Sequence, residues 1–189
     1  MRVPRRPHTL GIDDGPFEKR TPGRVPIVGV MMEGADLVEC VARTEFPVDG
    51  PDATAFLARW IGSLRARRAL HAVLLGGITI AGLGIVDIEA LSAAVGLPVL
   101  SVNRKNPARH RLGAALRAAG LDDRLPLVER APAAQRSAAG VYLAWAGITP
   151  ANAAALLAAT RNKSEFPEPL RLAHLVAAAI SSGESRGRV

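Results

Sequence analysis

The sequence predicts an α/β fold in which helices flank one mixed sheet of three antiparallel and two parallel strands. Two apolar, β-type segments surround the turn Gly34-Ala35-Asp36, as in a hairpin. Further along the chain, short buried-type strands alternate with segments of helical periodicity, which is the pattern of parallel β-α-β units. The chain has 189 residues and is 49% hydrophobic, so we expect a single domain over residues 1–189.

The N-terminal half supplies the antiparallel strands. Residues 8–13 form a short strand that ends in acid, and the turn Asp14-Gly15-Pro16 follows it. Residues 26–33 and 37–46 form the two arms of the hairpin. A helix capped by Asp52 or Thr54 comes next, and its buried side consists of Phe56, Leu57, Trp60, Ile61 and Leu64.

The C-terminal half supplies the parallel strands. We predict strands at residues 72–75 and 98–102, with a glycine-rich connection and a helix between them. Helices follow near residues 108–119 and 151–160, and residues 140–146 form a short apolar strand or ledge. A hairpin followed by this alternation fits a ribonuclease H-like sheet.

Charge and composition limit the class of partner. A net charge of +7 and a pI near 10.9 favour a polyanionic partner such as nucleic acid. Most of the basic residues are arginines, which is equally typical of a GC-rich genome, so the charge alone does not decide. The single cysteine, Cys40, excludes an internal disulfide and a cysteine zinc site, and we therefore expect a cytoplasmic protein.

No segment predicts a membrane span. The longest uncharged run, residues 72–86, is rich in glycine and too short to cross a bilayer. The N-terminal MRVPRRP is basic but lacks the apolar core of a signal peptide. We expect residues 1–7 to form a basic arm, either flexible or in contact with phosphate, and residues 183–189 to form a flexible tail.

Acidic residues indicate metal chemistry at two places. Asp13 ends the first strand with Asp14 on the opposite side, and Asp49 and Asp52 lie where the third strand gives way to the first helix. Hydrolysis of a phosphodiester with Mg²⁺ requires carboxylates that converge on the cation. Taken singly, Asp14 belongs to a turn and Asp52 is a helix cap. It is the pairing of two acidic sites that suggests a metal-dependent nuclease.

The run FPEPLRLAH, residues 166–174, leads into an apolar helix. Pro169 fits the first helical turn, where a missing N–H costs nothing. Arg171, His174 and Ala178 follow about one turn apart, so a cation and an imidazole share one helix face. A lone histidine in this position more often packs or meets solvent, and the other segments decide its meaning.

Together these segments resemble a known family. LGIDDGPF, VDGPDAT, LLGGITIAGLGIVDI, PVLSVNRKNP and RLAH occur in the order found in the endonuclease dU family, a branch related to endonuclease V. The run FPEPLRLAH is similar to the C-terminal helix that delivers a histidine to the metal-dependent site of endonuclease V. The resemblance implies an endonuclease of DNA repair that uses Mg²⁺ or Mn²⁺ and cuts DNA containing uracil or hypoxanthine. RNA is equally compatible as a partner.

The resemblance also assigns residues to roles. Asp13 matches the metal-binding aspartate of the first strand, and His174 matches the C-terminal histidine. Asp52 is the best match for the family's glutamate, with Asp49 as its rival. The implied catalytic set is Asp13, Asp52 and His174, and the implied metal ligands are Asp13, Asp52 and Asp49.

One position departs from the family of endonuclease V. Where that family has an aspartate at the end of the fourth strand, this chain has Gly76. Asp87 can substitute only if the intervening loop folds back. Because a magnesium site depends on one or two acids, the alternative is a catalytically impaired relative that binds nucleic acid without cutting it.

Basic residues follow the strand at 98–102. Arg104 stands where endonuclease V has a lysine near the scissile phosphate, and Lys105 follows it. The carboxyl end of the sheet is where α/β folds bind ligands, and a guanidinium can hold phosphate through two parallel bonds. We expect Arg104, Lys105 and Arg171 to bind nucleic acid, with a solvated helix end as the alternative.

The glycine-rich stretch GGITIAGLG lies between a strand and a helix, as phosphate-binding loops do. It matches neither the dinucleotide pattern nor a Walker loop. We expect a close backbone approach here, and a small-molecule α/β enzyme that uses this loop is a further alternative.

Overall fold

The computed structural model describes residues 2–18 and 23–185. Its main sheet has seven strands in the order β3-β2-β1-β4-β7-β9-β8, and β5 and β6 form a separate two-stranded ribbon. The strands are β1 (His8–Asp14), β2 (Arg24–Glu33), β3 (Leu37–Pro47), β4 (Ala72–Leu75), β5 (Thr79–Ile80), β6 (Gly84–Ile85), β7 (Val99–Asn103), β8 (Gln135–Arg136) and β9 (Tyr142–Ala146).

The strand pairing confirms the predicted ribonuclease H-like sheet. β1, β2 and β3 are antiparallel, and β1, β4 and β7 are parallel. The strand count differs from the prediction, because β9 adds to β7 as an antiparallel neighbour and β8 pairs with β9. The parallel register places Ile12 beside Leu75, so the next residues, Asp13 and Gly76, lie side by side at the carboxyl edge.

Helices cover both faces of the sheet. They are α1 (Ala53–Ser63), α2 (Ile88–Val95), α3 (Arg109–Ala118), α4 (Leu125–Arg130), α5 (Pro150–Ala159) and α6 (Glu168–Ser182). The largest core cluster joins α1 and α2 to one face through residues such as Leu57, Ile61 and Leu91. On the other face, α6 packs Ala173 and Ala177 against β2. Burial of these apolar side chains is the main stabilising contribution to the fold.

α6 approaches β1 unusually closely, and glycine makes this possible. A Cβ atom on Gly11 would lie 2.3 Å from the carbonyl carbon of Pro169 and 2.5 Å from the nitrogen of Leu170. No side chain fits in that space, so the first turn of α6 rests directly on the strand. His174, about one turn further along α6, consequently reaches the carboxyl end of β1.

The termini of the described chain are held by specific contacts. Arg6, in the predicted basic arm, makes ion pairs with Glu33 at 3.0 Å and with Asp36 at 2.8 Å. α6 ends at Gly183, which has the left-handed φ of 80° that favours glycine. Met1 of the arm and residues 186–189 of the tail lie outside the described residues. Within the described ranges, no helix has the length and apolar character needed to span a membrane.

Candidate active site

Asp13 and His174 meet at the carboxyl edge of the sheet. Nδ1 of His174 lies 3.1 Å from Oδ2 of Asp13, although 161 residues separate them in the sequence. The hydrogen bond to the Asp13 carboxylate raises the pKa of His174, while partial burial and the positive charge of Arg104 act in the opposite direction. With Asp13 ionised, Nδ1 carries the shared proton and Nε2 remains available, since 61% of the histidine side chain is exposed.

Gly76 lies beside this pair. A Cβ atom on Gly76 would be 3.2 Å from Oδ1 of Asp13, so an acid at this position would place its carboxylate next to that of Asp13. Asp87 does not take over this role. Its side chain accepts hydrogen bonds from the N–H groups of Glu89 and Ala90 at the start of α2 and pairs with Arg130 at 2.9 Å. The loop does not fold back, so Asp87 does not supply the carboxylate that Gly76 lacks.

Asp14 binds the glycine-rich segment, and its carboxylate also lies close enough to that of Asp13 to interact with it directly. Its Oδ2 accepts a hydrogen bond from the N–H of Ala81 at 2.7 Å. Burial, with a smaller contribution from the negative charge of Asp13, raises the pKa of Asp14 to about 6. Asp14 therefore fastens the glycine-rich segment to β1 and carries a desolvated charge.

The structure does not bring Asp49 to the candidate site. Oδ1 of Asp49 accepts the N–H of Leu83 at 2.7 Å, and its backbone carbonyl accepts from the guanidinium of Arg124. Arg124 is 7% exposed and also binds the carbonyl of Leu83. Asp49 and Arg124 thus hold the β5–β6 ribbon in place through its backbone. The glycine-rich stretch allows this close approach, since a Cβ on Gly82 would lie 2.4 Å from Oδ1 of Asp49.

Asp52 also lies away from Asp13. It precedes α1 in a left-handed conformation with φ of 55°, and its side chain makes no capping hydrogen bond. It lines a separate cavity of about 430 Å³ together with Asp87 and Arg130. Thr54, the other predicted cap, instead accepts a hydrogen bond from the N–H of Asp87. Across residues 2–18 and 23–185, no group of three or more His, Cys, Asp or Glu side chains is placed to hold a metal ion.

The predicted nucleic-acid-binding residues fall into two environments. Arg104 and Lys105 are exposed just after β7, and the guanidinium carbon of Arg104 lies 4.7 Å from the centre of the Phe166 ring. Such a cation–π contact orients the guanidinium without neutralising it. Arg171 instead pairs at 2.7 Å with Glu168, which is 4% exposed. Its charge is therefore largely committed within α6.

A cavity of about 630 Å³ adjoins the Asp13–His174 pair. It lies between the carboxyl ends of β4 and β7, the start of α3 and residues 131–134, and we call it the β4–β7 cavity. Gly76, Ser101, Asn103 and Asn106 contribute to its lining. Gly76 and Asn103 come at the ends of buried strands, where α/β folds bind ligands, so their place in the sequence indicates this edge. Ser101 and Asn106 carry no such local pattern, because the cavity is built by segments that are distant in the chain.

The fold and this edge of the sheet define the class of protein. Endonuclease V of Bacillus subtilis superimposes with a TM-score of 0.60 at 13% identity, over 93% of this chain and 81% of that one. Endonuclease V of Ciona intestinalis, in complex with a 24mer DNA containing an inosine followed by a ribo-adenosine, gives 0.57 at 11% identity, over 89% and 82%. The chain has the endonuclease V fold.

Sequence comparison then gives the family. The family model for endonuclease dU matches residues 5–181. UPF0215 proteins of Methanothermobacter thermautotrophicus and Thermococcus gammatolerans are 38% and 40% identical over 182 residues, covering 94% and 93% of this chain and 89% and 93% of the relatives. The crystal structure of a protein of unknown function from Archaeoglobus fulgidus has a TM-score of 0.84 at 34% identity, over 92% of this chain and 97% of that one. The chain belongs to the endonuclease dU family.

Proposed function

We propose that this protein is a metal-dependent endonuclease that hydrolyses phosphodiester bonds in DNA carrying deaminated bases, uracil or hypoxanthine. The observation that carries the proposal is the Asp13–His174 pair at the edge of an endonuclease V-type sheet. The family description, the DNA in the related Ciona complex and the net charge of +7 support the same partner.

Asp13 suits a Mg²⁺ or Mn²⁺ ion that is held chiefly by the substrate. Mg²⁺ sites in proteins often use one or two carboxylates and complete their shell with water and phosphate oxygens. The Asp13 side chain is 22% exposed, and no side chain fills the space over Gly76. The ion would stabilise charge on the phosphate and acidify a bound water. The Asp14 and Asp49 carboxylates accept hydrogen bonds from the N–H groups of Ala81 and Leu83 in the glycine-rich segment, whereas the Asp13 carboxylate lies beside His174 and accepts only the N–H of its own neighbour, Asp14. Asp13 is therefore the protein ligand that we propose.

His174 is proposed to orient the attacking water. Asp13 fixes the ring through Nδ1, and Nε2 in the neutral tautomer accepts a hydrogen bond from water. The water oxygen forms a bond to phosphorus as the bond from phosphorus to the leaving oxygen breaks. The proton of the water passes to Nε2 and then to solvent, so the histidine returns to its starting state. The leaving oxygen takes a proton from solvent and departs as a hydroxyl.

Arg104 is proposed to bind the phosphate next to this pair. The positive charge of Arg104 acts on the pKa of His174, which places the guanidinium near the imidazole. The contact with the Phe166 ring restricts the orientation of the guanidinium. A guanidinium offers two parallel N–H donors to a phosphate, which positions the phosphorus as well as attracting it. Lys105 adds charge without the same geometric constraint.

A second candidate function rests on Gly76. If one carboxylate does not hold the ion tightly enough, the protein binds deaminated or undamaged nucleic acid without cutting it. The observation that favours this candidate is the lack of a side chain on Gly76, where endonuclease V has an acid. A Cβ at this position would lie 3.2 Å from Oδ1 of Asp13.

The deciding experiment measures cleavage of labelled duplexes that carry a single deoxyuridine or deoxyinosine, with Mg²⁺ or Mn²⁺. We expect cleavage near the lesion, and its loss in both Asp13→Ala and His174→Ala. Intact DNA with measurable binding would reject the endonuclease and favour the second candidate. An Asp123→Ala variant serves as the control, because Asp123 is an exposed acid on the separate cavity lined by Asp52.

A further inference from the structure

Arginines gather at the edge of the sheet where β1 and β4 begin, which is opposite to the candidate active site. The two strands are parallel, so the segments that lead into them, residues 2–7 and 65–71, lie side by side. The rings of His8 and His71 stack there with 5.4 Å between their centres. We call this the amino edge. Its exposed cations include a set that we call the arginine cluster, namely Arg2, Arg5, Arg65 and Arg68.

The N-terminal arm is fixed to the fold before any ligand binds. Pro7 is buried, and its carbonyl accepts the N–H of Gly34 at 3.0 Å. Val3 packs against a buried core cluster, and the ion pairs of Arg6 join the arm to the turn between β2 and β3. The two remaining arginines of the arm therefore project from an ordered backbone, which lowers the entropic cost of binding a partner.

Arg65 and Arg68 lie on one short 3₁₀ helix, Arg65–Ala69, just before β4. In a 3₁₀ helix, side chains three positions apart lie on the same side, separated by about 6 Å along the axis. Arg67 takes a different direction and donates to the carbonyl of Val95 at the end of α2, which anchors the helix. A guanidinium offers paired N–H donors to a phosphate, so two of them side by side suit consecutive phosphates of one strand.

The arginine cluster is not neutralised by the acids that lie near it. Glu33 and Asp36 pair with Arg6, and Glu39 pairs with His8. In the part of the chain that the structure describes, no carboxylate forms an ion pair with a member of the cluster. Positive charges held together repel each other and attract a polyanion, so the amino edge favours a partner rich in phosphate.

The amino edge and the candidate active site lie at opposite ends of the same strands. The seven residues of β1 span about 20 Å between them. Helices pack on both faces of the sheet along this distance. A straight duplex bound beside Asp13 therefore does not reach the arginine cluster, and contact with the cluster requires a second segment of DNA.

We propose that the amino edge is a second DNA-binding site, at which the arginine cluster binds the phosphates of a duplex without reading its bases. One protein molecule then holds two DNA segments, one at each edge of the sheet. Because phosphate contacts of this kind are independent of sequence, they allow a protein to pass from one segment to another. The inference goes beyond the proposed function, since no bond is broken at the amino edge.

The test counts the duplexes bound to each protein molecule by sedimentation at low salt, in EDTA so that the strands stay intact. The probe is a short duplex with a single deoxyuridine. We expect two duplexes on the wild-type protein and one on the double variant Arg65→Gln/Arg68→Gln. Each single variant should reduce the salt slope of the weaker binding step by about one. Arg65→Lys/Arg68→Lys keeps the charge and should retain the second duplex, and Arg117→Gln, at an exposed position in α3, is the matched control.

Bridging has a second readout in energy transfer between a donor-labelled and an acceptor-labelled duplex, which should appear with the wild type and vanish in the double glutamine variant. One duplex per wild-type molecule would overturn the inference and leave the proposed function intact. Two duplexes on the double glutamine variant would overturn the assignment to the 3₁₀ helix. Binding of polyglutamate at the amino edge, without a second duplex, would overturn it in favour of an acidic protein partner. Two bound duplexes without any cleavage in the metal-containing assay would instead reject the proposed function alone.

Discussion

Gly76 and Asp13 are neighbours across the parallel pair β1–β4, and a Cβ on Gly76 would lie 3.2 Å from Oδ1 of Asp13. If position 76 held an aspartate, its carboxylate would lie close to that of Asp13, and the two would repel each other unless a cation bound between them. The residue at this one position therefore decides whether β4 adds an acid beside Asp13.

Gly76→Asp should create a two-carboxylate metal site. Without metal, we expect the variant to be less stable than the wild type by about 1–2 kcal/mol, because like charges are held together. With Mn²⁺ its thermal midpoint should rise more than that of the wild type, and metal-dependent cleavage should increase. Calorimetric titration with Mn²⁺ and the cleavage assay measure both effects. Gly76→Asn, which adds the same volume without charge, is the control, and an equal response of the two variants would contradict the prediction.

The stability of the fold should depend on the protonation of His174. Its pKa in the folded protein is raised above the ordinary value of 6.5, mainly by the hydrogen bond to Asp13. The stability gained from protonated His174 is fully present below pH 6.5. It is lost as the pH rises through the pKa of His174 in the folded protein. Urea denaturation of the wild type and of His174→Gln should therefore differ more at pH 6 than at pH 9. A constant difference would contradict this assignment.

Asp14→Asn should stabilise the protein at neutral pH. The pKa of Asp14 is about 6 in the folded state against an ordinary 3.8, so folding favours its protonated form. That advantage is present below pH 3.8 and is lost as the pH rises towards 6. An amide removes the desolvated charge and still accepts the N–H of Ala81. We expect a gain of about 1–2 kcal/mol at pH 8 and a much smaller one at pH 4.5. Asp14→Ala, which lacks the acceptor, should not show the gain.

Gly11→Ala should displace α6. The added methyl would lie 2.3 Å from the backbone of Pro169, so the helix must move or the strand must bend. We expect the free energy of unfolding to fall by about 3 kcal/mol or more. DNA cleavage should also fall, because His174 lies on α6 and would be displaced with it. Gly62→Ala is the matched control. Its Cβ meets nothing within 4 Å, so the substitution should stabilise α1 by about 0.5–1 kcal/mol.

Arg104→Ala should weaken DNA binding in a salt-dependent way. Loss of one phosphate contact reduces the slope of log affinity against log salt by about one. Phe166→Leu should give a smaller loss at unchanged charge, because it frees the guanidinium without removing it. Fluorescence anisotropy measured from about 50 to about 200 mM salt gives the slope for each variant. A reduced slope indicates a lost phosphate contact, and a weaker affinity at unchanged slope indicates a freed guanidinium. Arg117→Ala, at an exposed position in α3, should leave the slope unchanged if the Arg104 contact is specific.

Local pattern was sufficient for most of the elements. The predicted strand at 72–75 matches β4, and the other predicted strands agree with the structure within a few residues. The short helix α4 was not predicted, because Pro126 in its first turn and its length of six residues leave too little periodicity to recognise. β8, with two residues, has no pattern of its own and exists only because β9 offers it an edge.

The sequence by itself determined the alternation of strands and helices, and through ordered motifs it singled out Asp13 and His174. These signals survive in a linear chain because they depend on near neighbours, such as periodicity, caps and turns. The tertiary structure alone decided which acids converge. Asp49 and Asp52 lie close to the first helix in sequence, yet their carboxylates serve a backbone N–H and a separate cavity. The directions of these two side chains depend on the positive φ values of Asp49 and Asp52 and on contacts with distant loops. Neither can be predicted from the neighbouring residues in the sequence.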